Sequence, residues 1–127
     1  MPHYLLSAEA TFSAAHTIPG VHMCERMHGH NWRVRATVRV EEDDLDQNGM
    51  GVDFRSIDET LRAIVSDFEH RYLNDLEPFK DNPPTAEWIA KLIARQSAHR
   101  LADLAPQARV EAVEVWETPQ YRVLYRV

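Results

Sequence analysis

The stretch Asn31-Trp32-Arg33-Val34-Arg35-Ala36-Thr37-Val38-Arg39-Val40 alternates polar and apolar side chains from end to end. Successive side chains of a β-strand point to opposite faces of the sheet, so this alternation predicts a strand whose even-numbered residues are buried. The segment from Tyr4 to His16 has the same pattern, with apolar side chains at its even positions: Tyr4, Leu6, Ala8, Ala10, Phe12 and Ala14. We therefore predict two N-terminal strands that contribute to one buried face.

Helical spacing replaces this alternation after the acidic segment 41–51. A first helix is predicted there, with Asp53 or Ser56 as its N-cap and with apolar residues at Phe54, Ile57, Leu61, Ile64, Val65 and Phe68. A second helix is predicted to follow two prolines, with Thr85 as its N-cap and with one face formed by Ile89, Leu92, Ile93 and Gln96. Segments 108–118 and 121–127 are rich in Val and Tyr and predict a closing hairpin. The order ββααββ predicts an α+β fold in a single domain over residues 1–127.

The composition limits the possible functions. A length of 127 residues with 44% hydrophobic content fits one compact domain. The net charge of -6 argues against a nucleic-acid partner, because proteins that bind phosphate backbones use clustered Lys and Arg. The N-terminus lacks the pattern of a secretion signal, and no apolar run reaches the roughly 18 residues that a membrane span needs. The single cysteine, Cys24, cannot form an internal disulfide, so we expect a soluble protein of the reducing cytoplasm with no membrane partner.

Three histidines are predicted to meet at one end of the buried face. His28 and His30 lie two positions apart and share the even numbering of Trp32, and His16 ends the buried set of the first strand. Crowded neutral imidazoles at the rim of a core need partners, and a divalent metal would satisfy all three. Zinc is the leading candidate, and three histidines leave a fourth position open, as in catalytic zinc sites. The alternative is a set of hydrogen-bonded core histidines, whereas His3, His22 and His99 are expected at the surface.

Six short motifs follow one another along the chain. They are Phe12-Ser-Ala-Ala-His16, Cys24-x-x-x-His28-Gly29-His30, Val52-Asp53-Phe54, Glu69-His70-x-x-Leu73-Asn74, Pro84-Thr85-x-Glu87 and Glu117-Thr118. In this order and spacing they resemble the 6-pyruvoyltetrahydropterin synthase family, and in particular its bacterial 6-carboxytetrahydropterin synthase branch. The resemblance implies the tunnelling fold, a four-stranded antiparallel sheet with two helices on one face. It also implies subunits that join edge to edge into barrels, a homohexamer, and active sites between subunits.

The resemblance assigns roles to individual residues. The zinc ligands of the family fall on His16, His28 and His30, and its catalytic cysteine falls on Cys24, which could otherwise be an inert buried residue. The proton-relay histidine falls on His70, preceded by Glu69 where the family usually has Asp, so the orienting carboxylate could instead be Asp67.

The residues that would bind substrate come from the C-terminal motifs. The pterin-anchoring carboxylate falls on Glu117, although the ambiguous alternation of 109–118 also allows an outward-facing side chain. Thr85 and Glu87 would line the pocket, yet helix capping already accounts for both. Candidates for holding a triphosphate are Arg26, Lys80 and Lys91, on charge alone.

Glu25 adds a second signature beside the first. Members of the family that serve folate synthesis resemble E-x-x-H-G-H, and this chain has both signatures, as Cys24-Glu25-x-x-His28-Gly29-His30. A thiolate and a carboxylate at neighbouring positions could act as bases toward different bonds of the substrate. Alternatively, Glu25 points to solvent, because adjacent side chains of extended backbone face opposite ways.

The implied function is a zinc-dependent conversion of a pterin triphosphate. The substrate would be 7,8-dihydroneopterin triphosphate, and the products would be 6-carboxy-5,6,7,8-tetrahydropterin, acetaldehyde and triphosphate, on the route to 7-deazaguanines and queuosine. Two alternatives use the same site: 6-pyruvoyltetrahydropterin synthesis, and cleavage to 6-hydroxymethyl-7,8-dihydropterin for folate. A third alternative is a metal-binding module without enzymatic activity.

Overall fold

A computed structural model describes residues 1–127 apart from the side chain of Cys24. Its one sheet has four antiparallel strands in the order β1-β2-β3-β4, with β1 at His3–His16, β2 at His28–Glu41, β3 at Arg109–Thr118 and β4 at Tyr121–Arg126. Two helices, α1 at Phe54–Ser66 and α2 at Ala86–Leu104, lie between β2 and β3 in the chain. The predicted ββααββ order and α+β class are confirmed.

The even-numbered residues of β1 and β2 form the core face of the sheet, as the alternation predicts. Phe12 pairs with Trp32 across the two strands, and their rings stack with centroids 5.7 Å apart. Burial increases along β1 from its start to His16, so Tyr4, expected to be buried, is 46% exposed. This correction concerns the start of β1, where the side chains are less covered than those of Phe12, Ala14 and His16 near its end.

Both helices begin where their capping residues predict. The Asp53 carboxylate accepts a hydrogen bond from the Arg55 N–H at 2.9 Å, which identifies Asp53 rather than Ser56 as the N-cap of α1. The Thr85 hydroxyl accepts from the Trp88 N–H at 3.1 Å at the start of α2. Neither helix combines the length and hydropathy that a membrane crossing would require.

Two irregularities in β3 decide which way its side chains point. The pairing with β2 shifts between Thr37 and Val38, opposite Ala112 and Val110, so that Glu111 is an extra residue. This shift explains the ambiguous alternation of the sequence and turns Val113 and Val115 into the core. A second shift, in the pairing with β4, leaves Glu117 without a partner between Trp116 and Thr118.

A segment after α1 covers the final part of the β1 edge. The His70 N–H donates to the Ser13 carbonyl at 2.7 Å, and the Ala15 N–H donates to the Arg71 carbonyl at 3.0 Å. The Asn74 side chain then bonds both the N–H and the C=O of Thr17, at 2.9 and 3.0 Å. The backbone on both sides of His16 is therefore fixed by residues 70–74.

Candidate metal centre

Four side chains meet at the end of β1 and β2. One donor atom from each of His16, His28, His30 and Glu117 lies within 4.8 Å of the donor atoms of the other three. The three imidazole rings have centroids 4.6 to 5.2 Å apart. His16 pairs directly with His28, and His30 follows on the same face of β2, so strand register brings the three rings together.

Backbone carbonyls hold two of the imidazoles in one orientation. His16 Nδ1 lies 2.8 Å from the Pro84 carbonyl, and His28 Nδ1 lies 2.7 Å from the Arg26 carbonyl. A carbonyl can only accept, so each Nδ1 must carry the proton and donate it. Each Nε2 is then an unprotonated nitrogen that faces the other donors, which is the arrangement of metal-binding histidines.

Glu117 contacts the imidazoles from the side of β3. Its Oε1 lies 3.0 Å from His30 Nε2 and 3.9 Å from His16 Nε2. The shorter contact has the distance of an ion pair but not the geometry of a hydrogen bond, and both Nε2 atoms are buried without a hydrogen-bond partner. Buried polar atoms without partners are costly, and a cation among these four donors would satisfy both nitrogens.

Burial favours the uncharged form of the two inner imidazoles. It lowers the pKa of His16 and of His30, against the opposing influence of the Glu117 carboxylate. Neutral imidazole is the form that binds metals. Three nitrogens and one carboxylate oxygen suit a borderline divalent ion, so the residues present fit a metal.

The sequence predicts an open fourth position, and the structure places a carboxylate beside it. The Glu117 side chain follows Val113 and Val115 onto the helix side of the sheet, because the extra residue in β3 resets the alternation. The outward-facing alternative for Glu117 is therefore wrong. The alternation itself could not decide this, since nothing in the sequence marks the bulge.

The second candidate group lies outside the four donors. Glu69 Oε1 is 3.0 Å from His70 Nε2, and its other oxygen accepts from the Ser13 N–H at 3.4 Å. The side chain of Glu69 therefore reaches His70, and the carboxylate in contact with this imidazole is that of Glu69 rather than that of Asp67. His70 is 81% exposed and has a positive φ of 57°, which is uncommon for a residue other than glycine.

The remaining candidates occupy different surroundings. The side chain of Cys24 lies outside the described residues, and Glu25 is exposed directly after the short turn His22–Cys24. The Thr85 hydroxyl is used by the helix cap, and Glu87 is exposed in the first turn of α2.

The basic candidates for triphosphate binding differ in their surroundings. Arg26 and Lys80 are exposed, and Lys91 lies 5.9 Å from the centre of the Trp88 ring. His3, His22 and His99 are exposed, as the sequence predicts. No pattern in the sequence indicated that the Pro84 carbonyl would fix His16, because a backbone acceptor leaves no sequence signal.

Comparisons with known proteins cover nearly the whole chain. A family model described as 6-pyruvoyl tetrahydropterin synthase matches residues 5–127. The 6-carboxy-5,6,7,8-tetrahydropterin synthase of Bacillus subtilis is 33% identical over 127 residues, covering 95% of this chain and 84% of that protein. The dihydroneopterin monophosphate aldolase of Pyrococcus furiosus is 26% identical over 117 residues, covering 90% of each chain.

A solved structure supports the architecture. The 6-pyruvoyl tetrahydropterin synthase of Caenorhabditis elegans has a TM-score of 0.81 at 23% identity and covers 100% of this chain and 97% of its own. At this identity the likeness shows the fold alone, which is the predicted tunnelling fold.

Proposed function

The chain belongs to the 6-pyruvoyl tetrahydropterin synthase family, and from that premise we propose that it converts 7,8-dihydroneopterin triphosphate to 6-carboxy-5,6,7,8-tetrahydropterin. One water is consumed, triphosphate and acetaldehyde are the other products, and the pterin product serves 7-deazaguanine and queuosine synthesis. The observation that carries this proposal is the group of three imidazoles and one carboxylate at the end of the sheet. The Bacillus subtilis relative supports the choice of product.

We propose that the bound metal is zinc, with His16, His28 and His30 as its ligands and Glu117 beside them. When bound, it would supply a Lewis acid that polarises an oxygen of the substrate side chain. The Pro84 and Arg26 carbonyls keep two imidazoles in the ligating tautomer, so the site is prepared before any ion arrives. This preparation supports a dedicated metal centre over a set of core histidines.

Two further groups would move protons in this proposal. Glu69 orients the exposed His70, which can exchange a proton with the substrate. The Cys24 thiolate is the second base, assigned by its motif four positions before His28. Glu117, Thr85 and Glu87 are the proposed contacts of the pterin ring.

A second candidate function is cleavage to 6-hydroxymethyl-7,8-dihydropterin. Glu25 gives the chain the folate-type signature beside the cysteine signature, and a relative that is an aldolase matches 90% of this chain. The two reactions would share the metal group and differ in the base that is used. A pyruvoyl product would arise from the same substrate.

Product analysis tests these alternatives directly. Purified protein is incubated with 7,8-dihydroneopterin triphosphate, and the pterin products are identified by mass. We expect the unchanged protein to form the 6-carboxy product together with some 6-hydroxymethyl product. Cys24→Ala should lose the 6-carboxy product and retain some 6-hydroxymethyl product, whereas Glu25→Ala should lose the 6-hydroxymethyl product and retain the 6-carboxy product. If Glu25→Ala leaves the product distribution unchanged, Glu25 has no part in the reaction, and if no pterin product forms at all, the proposed function is wrong.

The assembly that we propose is a homohexamer built from sheet edges. In β1, residues 13 and 15 turn their backbone groups away from β2, so the odd-numbered Leu5, Ser7, Glu9 and Thr11 do the same. At the end of β4, the Val127 N–H donates to the Glu111 carbonyl of β3. The backbone groups of the even-numbered residues Arg122, Leu124 and Arg126 therefore point away from β3. Pairing β1 of one subunit with β4 of the next would satisfy both rows of backbone groups.

The same proposal includes the organisation and location of the protein. Residues 1–127 form one domain of the family, and its site would lie near a neighbouring subunit in the assembled ring. The cytoplasm suits a lone cysteine that must stay reduced to act as a base.

A further inference from the structure

We infer that Glu117 is a displaceable fourth donor of the metal group, whose carboxylate closes the group in the substrate-free protein and must leave before another ligand can take its position. This inference rests on the metal site of the proposed function, but not on the pterin chemistry. The metal group then has four donors, one of which is labile, rather than three histidines and an open position.

The distances around Glu117 suit a shared ion. Two donors at about 2.1 Å from a tetrahedral zinc lie roughly 3.4 Å from each other, by simple geometry. The Glu117 Oε1 separations of 3.0 Å from His30 Nε2 and 3.9 Å from His16 Nε2 lie on either side of that value. The missing hydrogen-bond geometry at His30 is consistent with two donors that face a common ion rather than each other.

Glu117 is more exposed to solvent than the two inner imidazoles of the group. Its side chain is 31% exposed, whereas His16 is 1% and His30 is 17% exposed. A ligand that arrives from solvent on this side would therefore meet the carboxylate before the imidazoles of His16 and His30.

The donors also differ in how firmly the protein holds them, and Glu117 is again the least restrained of those compared. Backbone carbonyls fix His16 and His28, but the Glu117 carboxylate makes no hydrogen bond within the described residues. Its backbone is also unpaired in the ladder with β4, at a bulge directly before the Thr118–Tyr121 turn. Bulges beside functional sites commonly redirect a side chain, and here the bulge places a carboxylate with few restraints against the metal group.

Cobalt(II) and azide test the inference without any pterin. The visible absorption of the cobalt-loaded protein reports its coordination, and competition with a chelator measures metal affinity. Because loss of a residue that merely supports a ligand already costs about 10–100-fold in affinity, we expect Glu117→Gln and Glu117→Ala to bind cobalt at least about tenfold more weakly. Glu111→Gln, a carboxylate change on the same strand outside the group, should bind cobalt as the unchanged protein does.

Azide then measures whether the fourth position is occupied. A competitor that fills a position most of the time reduces the apparent affinity of an incoming ligand in proportion, so Glu117→Ala should bind azide about tenfold more tightly than the unchanged protein. Unchanged cobalt affinity in both Glu117 variants would overturn the inference. Weaker cobalt binding without tighter azide binding would also overturn it, because Glu117 would then only support His30.

If circular dichroism shows that the variants are unfolded, a crystal structure of the unchanged zinc-loaded protein decides instead. A Glu117 oxygen at about 2.0–2.2 Å from zinc supports the inference, and a water in that position overturns it. Failure to form a pterin product from an otherwise confirmed four-donor site would count against the proposed function alone.

Discussion

At the scale of single residues, the metal group depends on each imidazole separately. His28→Ala removes a donor whose orientation is already fixed by the Arg26 carbonyl, and the remaining groups cannot replace it from the same position. We expect the purified variant to lose its metal and its pterin synthase activity together. Metal content by mass spectrometry checks this, with His99→Ala, an exposed histidine outside the group, as the control. Full activity in metal-free protein would contradict the proposed mechanism.

The pKa directions of the inner histidines predict how acid affects the metal-free protein. Burial lowers the pKa of His16 and His30 in the folded state, so below the ordinary value of about 6.5 the unfolded chain binds more protons than the folded one. The free energy of unfolding should therefore fall as the pH drops through and below about 6.5. Urea unfolding at several pH values checks this, and His16→Asn should reduce the change while His99→Asn should not. A pH-independent urea midpoint in this range would show that these imidazoles titrate as in the unfolded chain.

The positions of the three imidazoles can be predicted from the sequence, whereas the position of the Glu117 side chain cannot. The shared even numbering of His16, His28 and His30 was enough to predict that their side chains meet on one face, because β1 and β2 pair without interruption. Glu117 required the extra residue in β3, which depends on tertiary pairing and carries no local signal. The hydrogen bond between His16 and the Pro84 carbonyl could not be predicted either, because any residue type could supply a backbone carbonyl at that position.

At the scale of elements, the start of α2 separates two roles of Thr85. Its hydroxyl accepts from the Trp88 N–H, and loss of such a cap typically costs about 1 kcal/mol of stability. We expect Thr85→Ala to lower the free energy of unfolding by about that amount, and Thr85→Ser to restore it. Urea unfolding and KM are measured for both variants. If Thr85 is only a helix cap, the KM of Thr85→Ala should equal that of the unchanged protein. A raised KM in Thr85→Ala with unchanged stability would instead make Thr85 a substrate contact.

Periodicity was enough to predict the elements but not the connections that complete the site. The helices and strands appear in the predicted order because their apolar residues repeat with the period of each element. Residues 70–74 form no regular element, yet they pair with the end of β1 through backbone bonds and through the Asn74 amide. Such pairing depends on how the chain returns to the sheet, so the sequence around Asn74 did not indicate it.

At the scale of the whole molecule, the free edges of the sheet predict assembly. Ser7→Pro removes a backbone N–H that points away from β2, so the subunit itself should still fold. We expect this variant to have the mass of a smaller species by light scattering, while Ser7→Ala, which keeps the N–H, should remain a hexamer. A hexamer that persists in Ser7→Pro would contradict pairing through this part of β1. A monomeric mass for the unchanged protein would contradict the proposed ring.

The fluorescence of Trp32 should report on the metal group. The indole is fully buried, and its ring meets the His16 and His30 rings nearly at right angles, with centroids 5.0 and 5.3 Å away. Imidazole in contact with an excited indole quenches its fluorescence to a degree that changes with protonation and ligation. In a protein with Trp88→Phe and Trp116→Phe, the ultraviolet emission of Trp32 should therefore change as metal is added, and His28→Ala should abolish that change. The core tryptophan would thus act as an intrinsic fluorophore that reports the loading of the site in real time and without a label.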